Sequence, residues 1–410
     1  MKIAYLTLGC KLNYAETSTY ERAFRQAGFE TVSAKEKADL YLINTCSVTA
    51  TSDAKSRNLI RKTHRLNPEA KIIVCGCSAQ LRREELSSIE GVWKIFGCKE
   101  KALIVPQCLL ALGFEVEEPD LEDKVFGAYS SGERTRCFLK VQDGCDNKCH
   151  YCTVPYARGE SRSIRICEAV RMAEKAASEG IREIVLTGVN TGDFGKNNGE
   201  SFLDLLKALE KVEGIQRYRI SSIEPNLLSD EIIDWIASGS KFQPHFHIPL
   251  QTGCDELLKA MGRHYDSAFF EKKLAYLREK LSDEVFIGID VMVGLPGESE
   301  ELFEKSLAYI KRIRPAFIHV FPYSRRPGTP AAQMEGQVSE QEKKRRVELM
   351  EKLCLELHDS FVNSQKGKKA LVLFESKEKD GQMSGYSGNY IRVSREYDPD
   401  LVGKIVEVVI

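Results

Sequence analysis

Three cysteines lie close together near the middle of the chain, in the segment DGCDNKCHYCTVPYARG. Cys145, Cys149 and Cys152 follow the spacing C-x3-C-x2-C. Three thiolates on one short loop can ligate three irons of a [4Fe-4S] cluster and leave the fourth iron open to a further ligand. A structural zinc site is the alternative, but zinc takes four ligands, usually as two separated pairs, and the segment offers no obvious fourth. The spacing therefore favours an iron–sulfur cluster with an open iron.

A second set of cysteines is spread over the first part of the chain. Cys10, Cys46 and Cys77 each come within a few residues of the end of a predicted strand. Parallel strands place their carboxyl ends at one edge of a sheet, so these thiols can converge there. The alternative is three separate buried cysteines, which the residues alone leave open. Cys75 precedes Cys77 by two residues, and we interpret it as a buried strand residue.

Composition sets broad limits on what the chain can be. It has 410 residues, 42% hydrophobic and 29% charged, with a net charge of -1 and 13 cysteines, as expected for a globular protein of two or three domains. The longest apolar stretch is too short to span a membrane, which predicts a cytoplasmic protein. Cysteines stay reduced there, so clustered ones indicate metal ligation. Isolated ones are expected to be buried, namely Cys108, Cys137, Cys167, Cys254 and Cys354.

Strand and helix patterns alternate along most of the chain. This alternation predicts an α/β fold with three domains. Residues 1–105 form an α/β domain with a parallel sheet, 106–130 an acidic linker, 131–365 a partial (β/α)6 barrel, and 366–410 a small β-barrel. The strands expected in the two larger domains are Lys2–Leu8, Ala38–Asn44, Lys71–Cys75, Cys137–Gln142, Arg182–Thr187, Arg217–Ser222, His245–Leu250, Val285–Val291 and Phe317–Phe321.

Polar residues and glycines follow several of the expected barrel strands. Gly188 and Asn190 come after the second strand, Glu224 after the third, and Asp290 at the end of the fifth. Active sites of such barrels lie at the carboxyl ends of the strands. A glycine after a strand is more often a simple turn, so each position is weak by itself. Together, on the side of the cysteine loop, they indicate a binding site.

The cysteine loop resembles the radical S-adenosylmethionine (SAM) superfamily, in which an aromatic residue directly precedes the third cysteine. Tyr151 stands at that position. The resemblance implies that Cys145, Cys149 and Cys152 hold a [4Fe-4S] cluster that cleaves SAM to a 5′-deoxyadenosyl radical. It also implies that Tyr151 packs near the SAM adenine and that the segment with Gly188 and Asn190 contacts the methionine part.

Over its whole length, the chain is similar to the methylthiotransferase family. The segments TLGCKLN, INTCSVT and CGCSAQ resemble the three signatures of its N-terminal domain, and the last segment resembles a TRAM domain. The resemblance implies that Cys10, Cys46 and Cys77 bind an auxiliary [4Fe-4S] cluster that carries the sulfur to be transferred. An electron donor and SAM are the implied partners of the two clusters.

Three subfamilies differ in substrate: isopentenyl-adenosine in tRNA, an aspartate of a ribosomal protein, or threonylcarbamoyl-adenosine in tRNA. The motif TLGCKLN and the later HVFPYSRRPGTPAA are most similar to the third, the MtaB type. This implies methylthiolation of carbon 2 of threonylcarbamoyl-adenosine at position 37 of the tRNA anticodon loop, with two SAM molecules. A member of one of the other subfamilies, or a non-catalytic iron–sulfur protein that binds RNA, are the alternatives.

Charge gives modest independent support for an RNA partner. Residues 1–101 contain 17 Lys and Arg against 11 Asp and Glu, an excess of six positive charges. The run from Lys55 to Arg65 is basic and follows Cys46, so a helix there can meet phosphates near the second cysteine set. The alternative is a solvated helix face, which charged runs commonly form.

Overall fold

A computed structural model describes residues 1–116, 125–130 and 135–410 of the chain. The first part is a parallel sheet of five strands in the order β2-β1-β3-β4-β5. The strands are β1 (Lys2–Thr7), β2 (Glu30–Thr31), β3 (Leu40–Thr45), β4 (Lys71–Gly76) and β5 (Val92–Phe96). The helices are α1 (Lys11–Gln26), α2 (Ala50–Leu66), α3 (Cys77–Leu81), α4 (Arg83–Ser87) and α5 (Ile104–Ala111).

The central strand β3 is buried along its whole length, because helices cover both faces of this sheet. Side chains of a strand alternate between the two faces. Leu42 therefore packs in one core with Phe24 of α1, while Ile43 packs in the other with Ile60 of α2. Burial on both sides explains why β3 reads as a continuous run of mostly apolar residues.

The second part is the predicted partial barrel. Its strands are β6 (Ala128–Tyr129), β7 (Arg136–Lys140), β8 (Gln142–Asp143), β9 (Arg162–Ser163), β10 (Glu183–Thr187), β11 (Arg217–Ile220), β12 (His245–Gln251), β13 (Phe286–Val293) and β14 (Phe317–Pro322). Its helices are α6 (Val154–Arg158), α7 (Ile166–Ser178), α8 (Phe202–Glu210), α9 (Asp230–Ala237), α10 (Asp255–Ala260), α11 (Ser267–Leu281) and α12 (Glu300–Ile313).

Six of these strands run parallel around the barrel. Strands β7, β10 and β11 pair in one sheet and β12, β13 and β14 in another. Isolated parallel bridges, Tyr218 to Phe242 and Ser222 to His247, connect the two sheets. The six strands β7-β10-β11-β12-β13-β14 thus form the open (β/α)6 barrel that the sequence predicts, with β6 added antiparallel at one edge.

The long helix α13 (Glu340–Gln365) packs on the barrel core through Met350, Leu353 and Cys354 and leads into the third part of the protein. An antiparallel sheet in the order β17-β16-β15-β18 follows and forms half of a barrel. Its strands are β15 (Lys369–Lys379), β16 (Gln382–Ser387), β17 (Arg392–Glu396) and β18 (Ile405–Val409). Short 3-10 helices cover Lys101–Leu103, Thr191–Asp193, Pro330–Ala332 and Pro399–Leu401.

Two buried arginines of β11 attach the C-terminal sheet to the barrel. Arg217 donates to the carbonyl oxygen of Leu371 at 2.6 Å, and Arg219 donates to that of Ser387 at 2.7 Å. Glu183 of the neighbouring strand accepts from Arg219 at 2.8 Å and keeps this buried charge paired. The sheet is therefore held at the barrel opening opposite the carboxyl ends of the strands.

The predicted fold class is confirmed, and one prediction about burial is wrong. Cys167 is exposed, because α7 turns Ala169, Met172 and Ala173 toward the core and Cys167 lies on another face.

Helix α5 runs past residue 105, the predicted end of the first domain, and most of the acidic segment lies outside the described residues. Within the described part of the chain, no helix is long and apolar enough to cross a membrane.

Candidate active site

The N-terminal cysteines follow three neighbouring strands of the first sheet. Cys10 directly precedes α1, Cys46 follows β3, and Cys77 begins α3 after β4. Gly9 has a φ of +98°, and a Cβ at this residue would lie 2.8 Å from the Cβ of Cys46. Only glycine accepts that dihedral angle and that contact without strain. The structure therefore brings together the strand ends that carry the three thiols.

The pKa values of these thiols respond to one another. Burial raises the pKa of Cys46, and the neighbouring Cys77 and Cys10 raise it further. Cys77 behaves in the opposite way, because a hydrogen bond from the thiol of Cys98, with 4.0 Å between the sulfur atoms, lowers its pKa to about 6. A neighbouring thiolate disfavours the charged form of a thiol, so these thiols are deprotonated together only when a positive charge is bound between them. The set is thus suited to bind a positively charged centre.

Cys98 was missed by the sequence analysis. It is buried and lies two residues after β5, at the same sheet edge as the other three cysteines. The rule that found Cys10, Cys46 and Cys77 would have found it too, had Val92–Phe96 been recognised as a strand. Cys75, in contrast, is fully buried within β4 and packs against Leu42 in the core, as predicted.

The middle cysteines lie on the loop between β8 and α6. Gly144, with a φ of +74°, begins this loop, and a Cβ there would lie 1.9 Å from the carbonyl oxygen of Glu160. Cys145 donates its backbone N–H to the carbonyl oxygen of Gly159 at 3.1 Å. His150 donates its own N–H to Met261 at 3.0 Å, which anchors the other end of the loop. The loop is therefore fixed from both sides.

Arg263 connects several of the residues predicted from the sequence, and it was itself missed. Its guanidinium donates to the Cys149 sulfur at 3.1 Å, to the Tyr151 hydroxyl at 3.3 Å, and to the carboxylate of Glu224. Tyr265 accepts from the same group at 2.8 Å. A lone arginine outside any motif gives no sequence signal of this kind. Its position indicates that it compensates charge at the thiolate loop.

The other predicted positions divide into two groups. Asn190 donates to the carboxylate of Asp193 at 2.9 Å. Burial raises the pKa of both Asp193 and Glu224. Burial also raises the pKa of the Cys145 thiol, and the charges of these two carboxylates raise it further. Gly188 lies against the side chain of Gln142. Asp290 differs, because it lies inside β13 and accepts from His247 at 2.8 Å. Roles for these residues in binding SAM stay predictions.

Five buried charged side chains link the two cysteine sites across the domain interface. Glu16 of α1 is 2.5 Å from Lys101, 2.7 Å from Lys140 and 3.5 Å from Arg158. Asp143 is 2.6 Å from Lys140 and 2.7 Å from Arg158. Three cations and two carboxylates leave one net positive charge. We call these five residues the interface charge network.

The network reaches both cysteine sites. Arg158, which follows the middle cysteines, donates to the side-chain oxygen of Asn13 at 2.6 Å. Asn13 in turn donates to the carbonyl oxygens of Leu8 and Thr45, which precede Cys10 and Cys46. Burial alone would raise the pKa of Glu16, but Lys101, Lys140 and Arg158 lower it to about 2. The carboxylate is therefore charged at neutral pH.

A second buried ion pair joins the auxiliary site to the barrel. Arg326, which follows β14, donates to Asp53 at 2.7 Å and to Ser47 at 2.9 Å. Asp53 also accepts from Ser78 at 3.0 Å. Ser47 and Ser78 directly follow Cys46 and Cys77, so this pair sets the position of two of the three thiols relative to the barrel.

A cavity of about 650 Å³ opens beside Cys10. Its walls come from all three parts of the protein, including the inner face of the barrel and the C-terminal sheet. The lining residues with polar or aromatic side chains are Thr7, Cys10, Lys11, Tyr14, Arg136, Phe138, Arg219, His245, His247, Phe286, Phe317, His319, His358, Tyr386, Tyr390 and Arg392. This volume suits a nucleoside-sized ligand.

The hydrogen-bond donors around the middle cysteines suit the thiolate ligands of an iron–sulfur cluster. The backbone N–H of Val154 points to the Cys152 sulfur at 3.4 Å and Arg263 to that of Cys149, and such donors stabilise ligating thiolates. The described residues hold no group of three His, Cys, Asp or Glu side chains that converges on a single metal ion.

Known proteins match both domains. Residues 2–97 match the model of Uncharacterized protein family UPF0004, and 139–310 that of the Radical SAM superfamily. The chain is 37% identical to threonylcarbamoyladenosine tRNA methylthiotransferase MtaB of Bacillus subtilis, over 99% of this chain and 93% of that one. It is 35% identical to the protein of that name from Aquifex aeolicus, over 100% of both.

The chain belongs to the radical SAM methylthiotransferase family. Enzymes of the radical SAM superfamily use SAM and a [4Fe-4S] cluster, so this methylthiotransferase does as well. The fold agrees with that of the radical SAM methyltransferase TsrM from Kitasatospora setae, solved with cobalamin and a [4Fe-4S] cluster. The two share a TM-score of 0.59 and 15% identity, over 81% of this chain and 77% of that one.

The interface charge network yields a prediction about stability and pH. Replacing Glu16→Gln removes a buried carboxylate between cations and should lower the free energy of unfolding by about 3 kcal/mol at pH 7. Because folding lowers the pKa of Glu16 from 4.5 to about 2, its stabilising contribution is complete above pH 4.5 and is lost as the pH falls toward 2. The difference between variant and wild type should therefore shrink with acid.

Urea unfolding of the full-length chain, prepared without iron, at a series of pH values measures this effect. Glu21→Gln is the matched control, since Glu21 lies on the same helix in an exposed pair with Arg25. It should change the free energy of unfolding by less than about 1 kcal/mol. Equal effects of the two substitutions would contradict the role of the network.

Proposed function

We propose that this enzyme is a tRNA methylthiotransferase that inserts a methylthio group at carbon 2 of threonylcarbamoyl-adenosine at position 37, in the anticodon loop. It would use two SAM molecules and two [4Fe-4S] clusters. The observation that carries the proposal is the joining of two separate cysteine sets across one buried interface, through Asn13 and Arg158. The names of the MtaB relatives support the choice of substrate.

Cys145, Cys149 and Cys152 would hold the cluster that binds SAM, and Cys10, Cys46 and Cys77 the auxiliary cluster. When bound, these groups supply a 5′-deoxyadenosyl radical and the sulfur and methyl group to be transferred. Tyr151, Gly188, Asn190, Glu224 and Asp290 would contact SAM. An electron donor is the further partner that this chemistry needs.

The protein's own side chains supply position and charge balance. Arg263 holds the hydroxyl of Tyr151 and the sulfur of Cys149 together, which orients the aromatic ring beside the middle cysteines. The ring is half-buried and packs near Cys254 and Met261.

Exposed basic residues of α2 offer a surface for the tRNA backbone. Lys55, Arg61, Lys62 and Arg65 are exposed, while Ile60 and Thr63 face the core. Such a cationic stripe neutralises phosphates whatever their sequence. A loop base can leave the stack and enter a pocket, so a modified adenosine of an anticodon loop can reach the cavity beside Cys10.

Two alternatives remain from the sequence analysis. Family membership favours an enzyme over a non-catalytic iron–sulfur protein that binds RNA. A methylthiotransferase that acts on isopentenyl-adenosine or on a protein would differ in the substrate that it modifies. The cavity favours a substrate with an anionic group, since its lining within the described chain carries lysine and arginine and no carboxylate.

The reaction can be tested by nucleoside mass spectrometry. The anaerobically reconstituted enzyme, with SAM, sulfide and a reductant, should convert threonylcarbamoyl-adenosine in tRNA to its methylthio derivative. An equal amount of tRNA that carries isopentenyl-adenosine is the competing substrate and should stay largely unmodified. If 5′-deoxyadenosine forms but only the isopentenyl nucleoside gains the methylthio group, the substrate assignment is wrong.

The ligands of the auxiliary cluster can be tested by iron content. Cys77→Ala should lose about half of the bound iron after reconstitution, because one of two equal clusters loses a ligand. Cys75→Ala is the matched control, two residues away, and should bind as much iron as the wild type, since Cys75 is fully buried in the core. If Cys75→Ala lost iron while Cys77→Ala kept it, Cys75 and not Cys77 would be the ligand.

A further inference from the structure

The cavity beside Cys10 has an unusual balance of charge. Among the described residues that line it there are one lysine, three arginines and four histidines, and neither an aspartate nor a glutamate. A cavity with cations on its walls and no lining carboxylate attracts an anionic ligand. The question is which of the cations is available to bind one.

All three arginines already have partners in the protein, and Arg392 donates to the Ser384 hydroxyl at 2.8 Å. Arg136 donates to Glu375 at 2.8 Å and to the Tyr390 hydroxyl at 3.2 Å. Arg219 donates to Glu183 and to backbone carbonyl oxygens of the C-terminal sheet. Both therefore contribute positive potential to the cavity, while their hydrogen-bond donors hold the protein together.

Lys11 differs from these arginines. In the described structure its ammonium has no hydrogen bond and no ion pair, although the side chain lines the cavity. Arg136, Arg219 and Tyr390 line the same cavity as Lys11. Lys11 also directly follows Cys10, a proposed ligand of the auxiliary cluster. A free ammonium is thus placed next to the site that would donate the sulfur.

Aromatic rings form another part of the cavity wall. Tyr386 stacks on Tyr390 with 4.8 Å between ring centroids, and His245 lies 4.5 Å from Tyr390. Tyr390 has a φ of +64°, a conformation that costs energy for a bulky side chain and is found where ligands are held. Rings of this kind stack on nucleobases.

We propose that the Lys11 ammonium binds the carboxylate of an amino acid attached to the substrate adenine, and so selects an adenosine with a threonylcarbamoyl group. The inference rests on the proposed function and deepens it. It assigns to Lys11 the discrimination between this nucleoside and one with an apolar substituent. Arg136 and Arg219 add positive potential, and the aromatic side chains that line the cavity supply apolar surface for the base.

An RNA phosphate is the other source of an anion. The position of Lys11 favours the carboxylate. The auxiliary cluster that the neighbouring Cys10 would hold must approach the base that receives sulfur, and the nearest anion on that base is its own substituent. Backbone phosphates are met more readily by the exposed cations of α2. The two sources are separated by experiment.

The test is equilibrium binding of free nucleosides to the reconstituted full-length enzyme. The wild type should bind N6-threonylcarbamoyladenosine about thirtyfold more tightly than its methyl amide, in which the carboxylate is neutral. Lys11→Met, which keeps the length of the side chain, should lose this preference, and Lys11→Arg should retain most of it. Lys344→Met, an exposed lysine of α13, is the control and should behave as the wild type.

Several results would overturn the inference. One is equal affinity of the wild type for the acid and its amide, a comparison that needs no substitution and does not depend on how Lys11→Met folds. Another is an undiminished preference in Lys11→Met. A third is that Lys11→Met weakens the binding of adenosine 5′-monophosphate as much as that of N6-threonylcarbamoyladenosine. That result would show that the lysine binds a phosphate.

Binding and turnover keep the two proposals distinguishable. If the acid is preferred through Lys11 but no methylthio product forms on tRNA, the inference holds and the proposed function fails. If the methylthio product forms on threonylcarbamoyl-adenosine while acid and amide bind equally, the function holds and the inference fails.

Discussion

The buried charge network between the N-terminal domain and the barrel is the constraint on which the rest of the structure depends. Taking five charged groups out of water costs several kcal/mol for each ion, and only close pairing with good geometry offsets that cost. Glu16, Lys140 and Asp143 meet these conditions only when the two domains are docked in a single arrangement. The docking then places Asn13, beside Cys10, against Arg158 of the middle cysteine loop. The net positive charge of the network also suits sites whose thiolates are negative.

Local backbone geometry and a second ion pair complete what the network begins. Gly9 and Gly144 let the chain approach neighbours more closely than any other residue would allow, one beside Cys46 and one beside Glu160. Arg326 then ties the loops after Cys46 and Cys77 to the rim of the barrel. The cavity is a consequence of this docking, because the three parts of the chain enclose it together. Its aromatic rings and its free lysine can therefore act on a ligand only in the assembled protein.

Local pattern was enough to predict much of the fold. Apolar runs that alternate with helical patterns predicted β3 and the barrel strands, and the position of Cys10, Cys46 and Cys77 after strands predicted their common sheet edge. Short or weakly apolar elements such as Val92–Phe96 and Gln382–Ser387 were missed, and Cys98 was missed with the first of them. Arg263 and the charge network could not be predicted, since Glu16 and Arg158 are 142 residues apart and no periodicity relates them. Whether a lysine such as Lys11 is paired depends on tertiary contacts, which the sequence does not show.

The central claim is that the interface holds two cysteine sites close enough to act on one substrate. Electron paramagnetic resonance of the reconstituted, reduced enzyme tests it most directly. Cys77→Ala and Cys149→Ala should each retain a single cluster and give the spectrum of an isolated centre. The account predicts that the wild-type spectrum is broader than the sum of these two and relaxes faster, because two neighbouring paramagnetic centres interact. A wild-type spectrum equal to that sum would show that the clusters are far apart, and would contradict the account.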